Sequence, residues 1–449
     1  MLPSEHTHHE GGLSSSSSGD SAGREMRSRR LPRIDMHTHI LPPELPDFGK
    51  KFGYGEWVSL RKMEAEQGSQ SLSCGCKAKM YKGDAFFREV EGNCFDAETR
   101  IQDCDRDGVT VQVLSTVPVM FAYDAKPEDC LEVAVFLNDH IASVCKEHPT
   151  RFVGLGTVPM QSTELAIQEM TRCVTELGLA GVQIGTHVNS KPLGDPSLFP
   201  FFEACERVGA AVFVHPWYMV GEELMKKYWL PWLVGMPAET SFAICSMIFS
   251  GVFEKLPRLR VCFAHGGGNF PGTVGRVQKG FTCRPDLYPD NQDSPLEHLG
   301  RFWCDSLTHD SRALVTLAET VGIDRVCLGS DYPFPLGEVF PAASGGPGTL
   351  VCSMGTLGWG ERAKMKVLWS NGLKFLGLED KEEMFLRDRG VQREAIREVE
   401  EEEDGSVLHL SLQQEKVPGG RSDKRGGTHW TVADSEDLCC LDVVSYWRV

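Results

Sequence analysis

The chain has 449 residues, 41 % of them apolar, enough to bury a sizeable core and to exclude wholesale disorder. Its 46 Lys and Arg against 63 Asp and Glu give a formal charge of −17, which argues against a nucleic-acid partner, since that needs a basic face. Apolar runs stay short of the roughly 18 residues of a membrane span, and the Ser-rich start, Met1 to Asp20, lacks the apolar segment of a secretory signal.

Residues 1–31 read as a low-complexity extension expected to be disordered, with His6, His8 and His9 ahead of five consecutive serines. From 32 to 378 short β-branched runs alternate with helical patterns. Strands are predicted at Arg33–Met36, Thr110–Ser115, Phe152–Val158, Gly181–Gly185, Ala211–His215, Leu259–His265, Phe302–Asp305 and Arg325–Asp331. Most are continuous apolar runs, as befits parallel strands buried on both faces. Helical spacing is clearest over Glu164–Leu177 and Glu239–Phe253. About eight βα units predict an α/β fold, a (β/α)8 TIM barrel, with residues 42–93 inserted after the first strand as a lid or small subdomain. Residues 379–449 read as a charged, largely disordered tail, opening with 12 acidic and 5 basic side chains over 379–404. Sixteen cysteines, such as Cys205, Cys245, Cys262 and Cys327, sit in apolar runs like small core residues, so a reduced, cytosolic protein is expected.

Reactive groups of such a barrel collect where its strands end. His37 and His39 close the first strand on one face, so two imidazoles can bind one metal ion. His215 ends the fifth, His265 the sixth and Asp331 the eighth. A lone His-x-His is weak, and His6–His8 is another example. Four strand ends with metal-competent groups at one barrel mouth make a strong signal for a metal site.

These residues resemble the amidohydrolase superfamily, with His-x-His on strand one, His on strands five and six, and Asp on strand eight. The fourth strand ends Gln183-Ile184-Gly185-Thr186-His187, without the lysine of many two-metal members, so one metal is expected. Ser115-Thr116-Val117-Pro118, Phe213-Val214-His215-Pro216-Trp217, Trp229-Leu230-Pro231-Trp232, His265-Gly266-Gly267-Gly268 and Asp331-Tyr332-Pro333-Phe334-Pro335 resemble its zinc-dependent decarboxylase branch. The likeness runs from Arg33 to Gly337 and resumes over Asn371–Leu378. Residues 1–31, the Gly- and Ser-rich segment Ala342–Leu357 and the chain after 380 depart from it.

The resemblance implies an oxygen-independent decarboxylation of a small dicarboxylate, with one zinc per chain on His37, His39, His215 and Asp331. His265 would be the base that activates a zinc-held water, since zinc lowers the pKa of water towards neutrality. Arg88 and Lys82 would contact substrate, and Arg276, placed at the start of a helix after strand six, would enter the partner's site in a homodimer. A guanidinium suits this, because it can hold a carboxylate through two parallel hydrogen bonds. Trp232, Phe87, Met219 and Phe334 are candidates for the pocket wall, although such side chains are commonly plain core. Two alternatives stay open: a related zinc decarboxylase or hydrolase of another aromatic or unsaturated acid, and a catalytically impaired zinc-binding barrel.

Three other motifs carry less. Gly19-Asp20-Ser21-Ala22-Gly23 fits a nucleophile elbow but follows no strand. His265-Gly266-Gly267-Gly268 reads as a glycine turn that frees space for substrate. Cys74-Gly75-Cys76 lacks a second pair and reads as two free thiols in a loop.

Overall fold

Eight parallel strands, each hydrogen-bonded to the next in chain order, form the sheet at the centre of the computed structural model. They are β1 (Ile34–Ile40), β2 (Val111–Thr116), β3 (Phe152–Gly156), β4 (Gly181–Gly185), β5 (Ala211–His215), β6 (Arg260–Phe263), β7 (Trp303–Asp305) and β8 (Val326–Cys327). The seam between β8 and β1 is closed by Met36 N–H to the Leu328 carbonyl and His39 N–H to the Tyr332 carbonyl, each 2.8 Å. The sheet is thus a nearly closed (β/α)8 barrel. The structure describes residues 31–63, 77–291, 293–338 and 346–387, together with Val399. The N-terminal extension, the elbow-like Gly19–Gly23, Cys74-Gly75-Cys76 and most of the tail lie outside the described residues.

Helices fill the strand connections, and their ends follow local chemistry. Asp96 caps α1 (Ala97–Asp107) by accepting the Thr99 N–H, and Gly108 ends it at φ 75°. Pro127 opens α2 (Pro127–Glu147), which buries Val133, Leu137, Ile141 and Val144 along one stripe. Ser162 caps α3 (Thr163–Thr175), and α4 (Phe199–Val208) stops at Gly209. The helix expected over Glu239–Phe253 is α5 (Met236–Phe249), ended before Gly251, whose φ is 72°. Next come α6 (Phe270–Cys283) and α7 (Ser311–Val321), the latter capped by Asp310. The final helix, expected over Lys364–Leu376, is a helical run of Glu361–Met365, Lys366–Ser370 and Asn371–Leu376 that buries Val367, Leu368, Trp369 and Phe375. Of the charged helix expected past 379, two short turns, Glu379–Lys381 and Glu382–Leu386, are described.

Strand ends differ most from expectation at the barrel mouth. β1 continues to Ile40, with a register irregularity between Asp35 and Thr38. β6 stops at Phe263 because His265, Gly266, Gly267 and Gly268 all take positive φ, which an extended strand cannot contain. β8 ends after two residues, and Asp331 lies four beyond it at φ 58°. Gly329 permits this: a Cβ there would meet the Cβ atoms of Asp305 at 2.7 Å and His37 at 2.9 Å.

The insertion forms an antiparallel sheet of Val58–Lys62, Ala78–Lys82 and Ala85–Val90. Its Val58, Met80 and Val90 pack with Val117, Val119 and Leu137 in a cluster separate from the main core, which seats it on the barrel rim. The helical stretch Pro231–Phe249 is apolar and long enough to cross a membrane by length and composition. In the fold, Met236, Ala243, Ile244, Met247 and Ile248 of that stretch are buried. None of the described cysteines forms a disulfide.

Candidate metal centre and active site

His37 and His39 alternate with Thr38 along β1, so both imidazoles face the barrel interior while Thr38 turns outward to donate to the Val113 carbonyl. His215 ends β5, and Asp331 enters from the turn after β8. One ligand atom from each of these four residues lies within 4.8 Å of the others. His39 Nε2 stands 3.0 Å from Asp331 Oδ1 and 3.2 Å from His37 Nε2.

Each of the three histidines has an acceptor on its Nδ1: Asp305 Oδ2 at 2.7 Å for His37, the Thr116 carbonyl at 3.1 Å for His39 and the Pro216 carbonyl at 2.9 Å for His215. A proton on each Nδ1 leaves each Nε2 as a lone pair facing its neighbours. Such outer partners are how metal-binding imidazoles are oriented. The Nε2 of His215 is buried without a partner among the described residues. An inward-facing lone pair with no donor, beside a carboxylate and two more imidazoles, fits a divalent cation.

The electrostatics agree at His39, His215 and Asp331, while at His37 they favour the protonated ring. Burial dominates at His215, and the nearby histidines add to it, holding its pKa well below the usual value. Burial also holds His39 down. At His37 burial works downward, but the carboxylates of Asp331 and Asp305 outweigh it and raise the pKa. At Asp331 burial works upward, yet His37 and His39 bring the carboxyl down to about 2. Asp331 is therefore an anion, and His39 and His215 are neutral, as ligands must be.

His265 stands beside the cluster, its ring centroid 5.0 Å from that of His215 and 5.1 Å from that of His37. Its Nδ1 is buried with no hydrogen-bond partner among the described residues. Burial, reinforced by His37, lowers its pKa to about 4. The turn that carries it is fixed by Asp305, which accepts the N–H groups of His265, Gly266 and Leu307 at 3.0, 2.7 and 3.1 Å. Sequence reasoning passed over Asp305. Its place at the end of a barrel strand, like His215, was the available signal.

A cavity of about 710 Å³ opens above these groups, bordered by His39, His215, His265 and Asp331. Phe87, Arg88, Trp232 and Phe334 line it, as does Trp217, which sequence reasoning left without a role. The Arg88 guanidinium lies 4.4 Å from the Phe334 ring centre and has no ion pair among the described residues. The other three candidates stand elsewhere. Lys82 lines a neighbouring cavity of about 80 Å³, its ammonium 5.3 Å from the Tyr218 ring centre. Met219 is buried behind the wall, close against Gly235. Arg276 is exposed in the middle of α6, not at its start, and does not line the cavity of its own chain.

Comparison with known proteins places this architecture. The amidohydrolase family model matches residues 34–378. The 2-amino-3-carboxymuconate-6-semialdehyde decarboxylase of Dictyostelium discoideum is 56 % identical over 351 residues, covering 78 % of this chain and 93 % of that protein. The Caenorhabditis elegans protein of the same name is 38 % identical, covering 78 % and 95 %. Among solved structures, the manganese complex of 5-carboxyvanillate decarboxylase from Novosphingobium aromaticivorans superposes with a TM-score of 0.61 at 21 % identity, covering 78 % of this chain and 97 % of that one. The chain belongs to the amidohydrolase family and is one of its carboxy-lyases.

Proposed function

We propose that this carboxy-lyase uses one zinc ion per chain to convert 2-amino-3-carboxymuconate 6-semialdehyde to 2-aminomuconate 6-semialdehyde without oxygen. The reaction belongs to tryptophan catabolism through the kynurenine pathway and limits the supply of quinolinate for NAD formation. The observation that carries this reading is the convergence of His37, His39, His215 and Asp331 beside His265, whose Nδ1 is unpartnered among the described residues, at the floor of a cavity that Arg88 borders. The two relatives named for this activity support the choice of substrate.

His37, His39, His215 and Asp331 would hold the metal, which would supply Lewis-acid polarisation of a substrate or water oxygen. The remaining work falls to the chain. Arg88 grips a substrate carboxylate through two parallel hydrogen bonds. Phe87, Trp232 and Phe334 exclude water from the reacting carbons, which strengthens that grip. His265, neutral near pH 7, takes up a proton from solvent water and delivers it to the carbon from which CO2 departs, so the electron pair of the broken C–C bond forms the new C–H bond. Lys82 and Met219 act through the walls they support.

The active enzyme is a cytosolic homodimer in which Arg276 reaches the partner's cavity. Its exposure on α6, together with the solvent-facing Val220, Leu224, Tyr228, Leu233, Val234 and Phe242, supports an interface between copies of the chain. A substrate panel tests the activity. Protein reconstituted with zinc or with manganese is assayed on the semialdehyde, on 5-carboxyvanillate and on 2,6-dihydroxybenzoate. Turnover confined to the semialdehyde and highest with zinc is expected; preference for an aromatic acid overturns the reading.

A further inference from the structure

Arg100 is a fully buried cation on α1, outside the barrel wall. Its Nη1 donates to the carbonyls of His39 at 2.7 Å and Asn93 at 3.0 Å, and its Nη2 to Thr38 Oγ1 at 3.1 Å. Its guanidinium carbon stands 4.8 Å from the ring centre of Tyr332, the residue after Asp331. One turn along α1, Asp103 accepts the Tyr332 hydroxyl at 2.5 Å. No carboxylate forms an ion pair with Arg100 among the described residues, and its Nε is buried without a partner. A buried charge so incompletely matched is costly, so it would not be expected merely to fill space.

Its position suggests what it does. β1 and β8 share no ladder at the metal end. Between Thr38 and Tyr332 there is only an isolated bridge, with the His39 N–H to Tyr332 carbonyl bond. His39 lies on one side of that seam and Asp331 on the other. Arg100 touches both sides, through the His39 carbonyl and the Tyr332 ring. A forked, planar cation holds a carbonyl edge-on and an aromatic face at once in a fixed geometry that the flexible, compact ammonium of lysine lacks.

We propose that Arg100 is a positioning residue that clamps the barrel seam and thereby fixes the spacing of the His39 and Asp331 ligand atoms, so that it sets metal affinity from outside the site. This rests on reading His37, His39, His215 and Asp331 as a metal site.

The test is competitive metal binding against a chelator, together with the visible spectrum of cobalt-substituted protein. Wild type, Arg100→Lys and Arg33→Lys are compared. Arg33 is a buried arginine just before β1, bonded to the Asp107 and Pro347 carbonyls, and serves as a control for stability. Failure of wild type to bind metal defeats the underlying reading, whereas the ratio of variant to wild type reports on Arg100. Arg100→Lys is expected to weaken binding about 10- to 100-fold, the usual effect of losing an outer partner, and to alter the cobalt bands, with Arg33→Lys near wild type. Affinity within twofold of wild type, or an equal loss in Arg33→Lys, overturns the proposal. Should Arg100→Lys not fold, Tyr332→Leu and Tyr332→Phe decide. Leu should weaken binding several-fold while Phe, which keeps the ring, stays close to wild type; tight binding by Tyr332→Leu overturns it.

Discussion

The Nδ1 of His37 lies 2.7 Å from Oδ2 of Asp305, with both side chains fully buried, and the same carboxylate accepts the backbone N–H of His265. One aspartate thus orients a proposed metal ligand and holds the proposed base in register with it. Burial alone would raise the Asp305 pKa, but the hydrogen bond to His37 and the charges around it bring it below the usual value, so it serves as an anion. Asp305→Asn removes that charge and can turn a donor towards His37. Metal affinity is expected to fall about 10- to 100-fold, measured by chelator competition. Unchanged affinity would show that the contact does not orient His37.

Base and ligand separate by metal content. His265→Ala should slow turnover about 100-fold or more while retaining metal, since general-base assistance is typically of that size. His215→Ala should lose the metal itself. Metal analysis beside kcat distinguishes the two, and a His265→Ala protein that loses metal yet keeps its turnover per bound ion would reverse the assignments.

The pKa of His265 fixes the direction of a pH effect. Its value of about 4 lies below the ordinary 6.5, so the folded protein releases this proton more readily than the unfolded chain. Between those values the unfolded state binds more protons, and the His265 contribution to stability rises with pH. It is complete above about 6.5 and lost as pH falls through about 4. A bound divalent cation would push the same way. His265 should therefore show no NMR titration above pH 5 in folded protein; a midpoint near 6.5 would contradict this environment.

Several features could be read in the sequence because they depend on near neighbours. The apolar run of Ala211–His215 reads as a buried strand, and the helical spacing over Glu164–Leu177 points to α3. The four metal-competent strand ends stood out because polar groups interrupt apolar runs. What escaped depends on tertiary closure. Strand six was expected to reach His265, but its glycine turn leaves the sheet early, and at Gly268 a Cβ would collide with the Pro237 carbonyl from a distant helix. Lys82 was expected at substrate, yet its strand pairs with Val58 and turns it towards Tyr218. Arg100 carries no local signal in the sequence, since its partners His39 and Tyr332 meet only where the barrel closes.

The shared site of the proposed dimer can be tested by complementation. Arg88→Ala and Arg276→Ala should each be nearly inactive, because each leaves a substrate carboxylate without its bidentate partner. Dissociated together and reassociated, the mixture should recover about a quarter of wild-type activity, since a heterodimer has one site with both arginines and random pairing makes half the dimers mixed. No recovery, with heterodimers demonstrated, would place Arg276 in its own chain's site or in none.

Metal removal tests the central claim most directly. Protein stripped by a chelator and dialysed, with its fold checked by circular dichroism, is assayed for CO2 release from 2-amino-3-carboxymuconate 6-semialdehyde before and after adding zinc. Release should vanish in the stripped protein, whose core is built from the barrel rather than the metal, and return in proportion to zinc up to about one ion per chain. Full release from folded, metal-free protein would contradict the account.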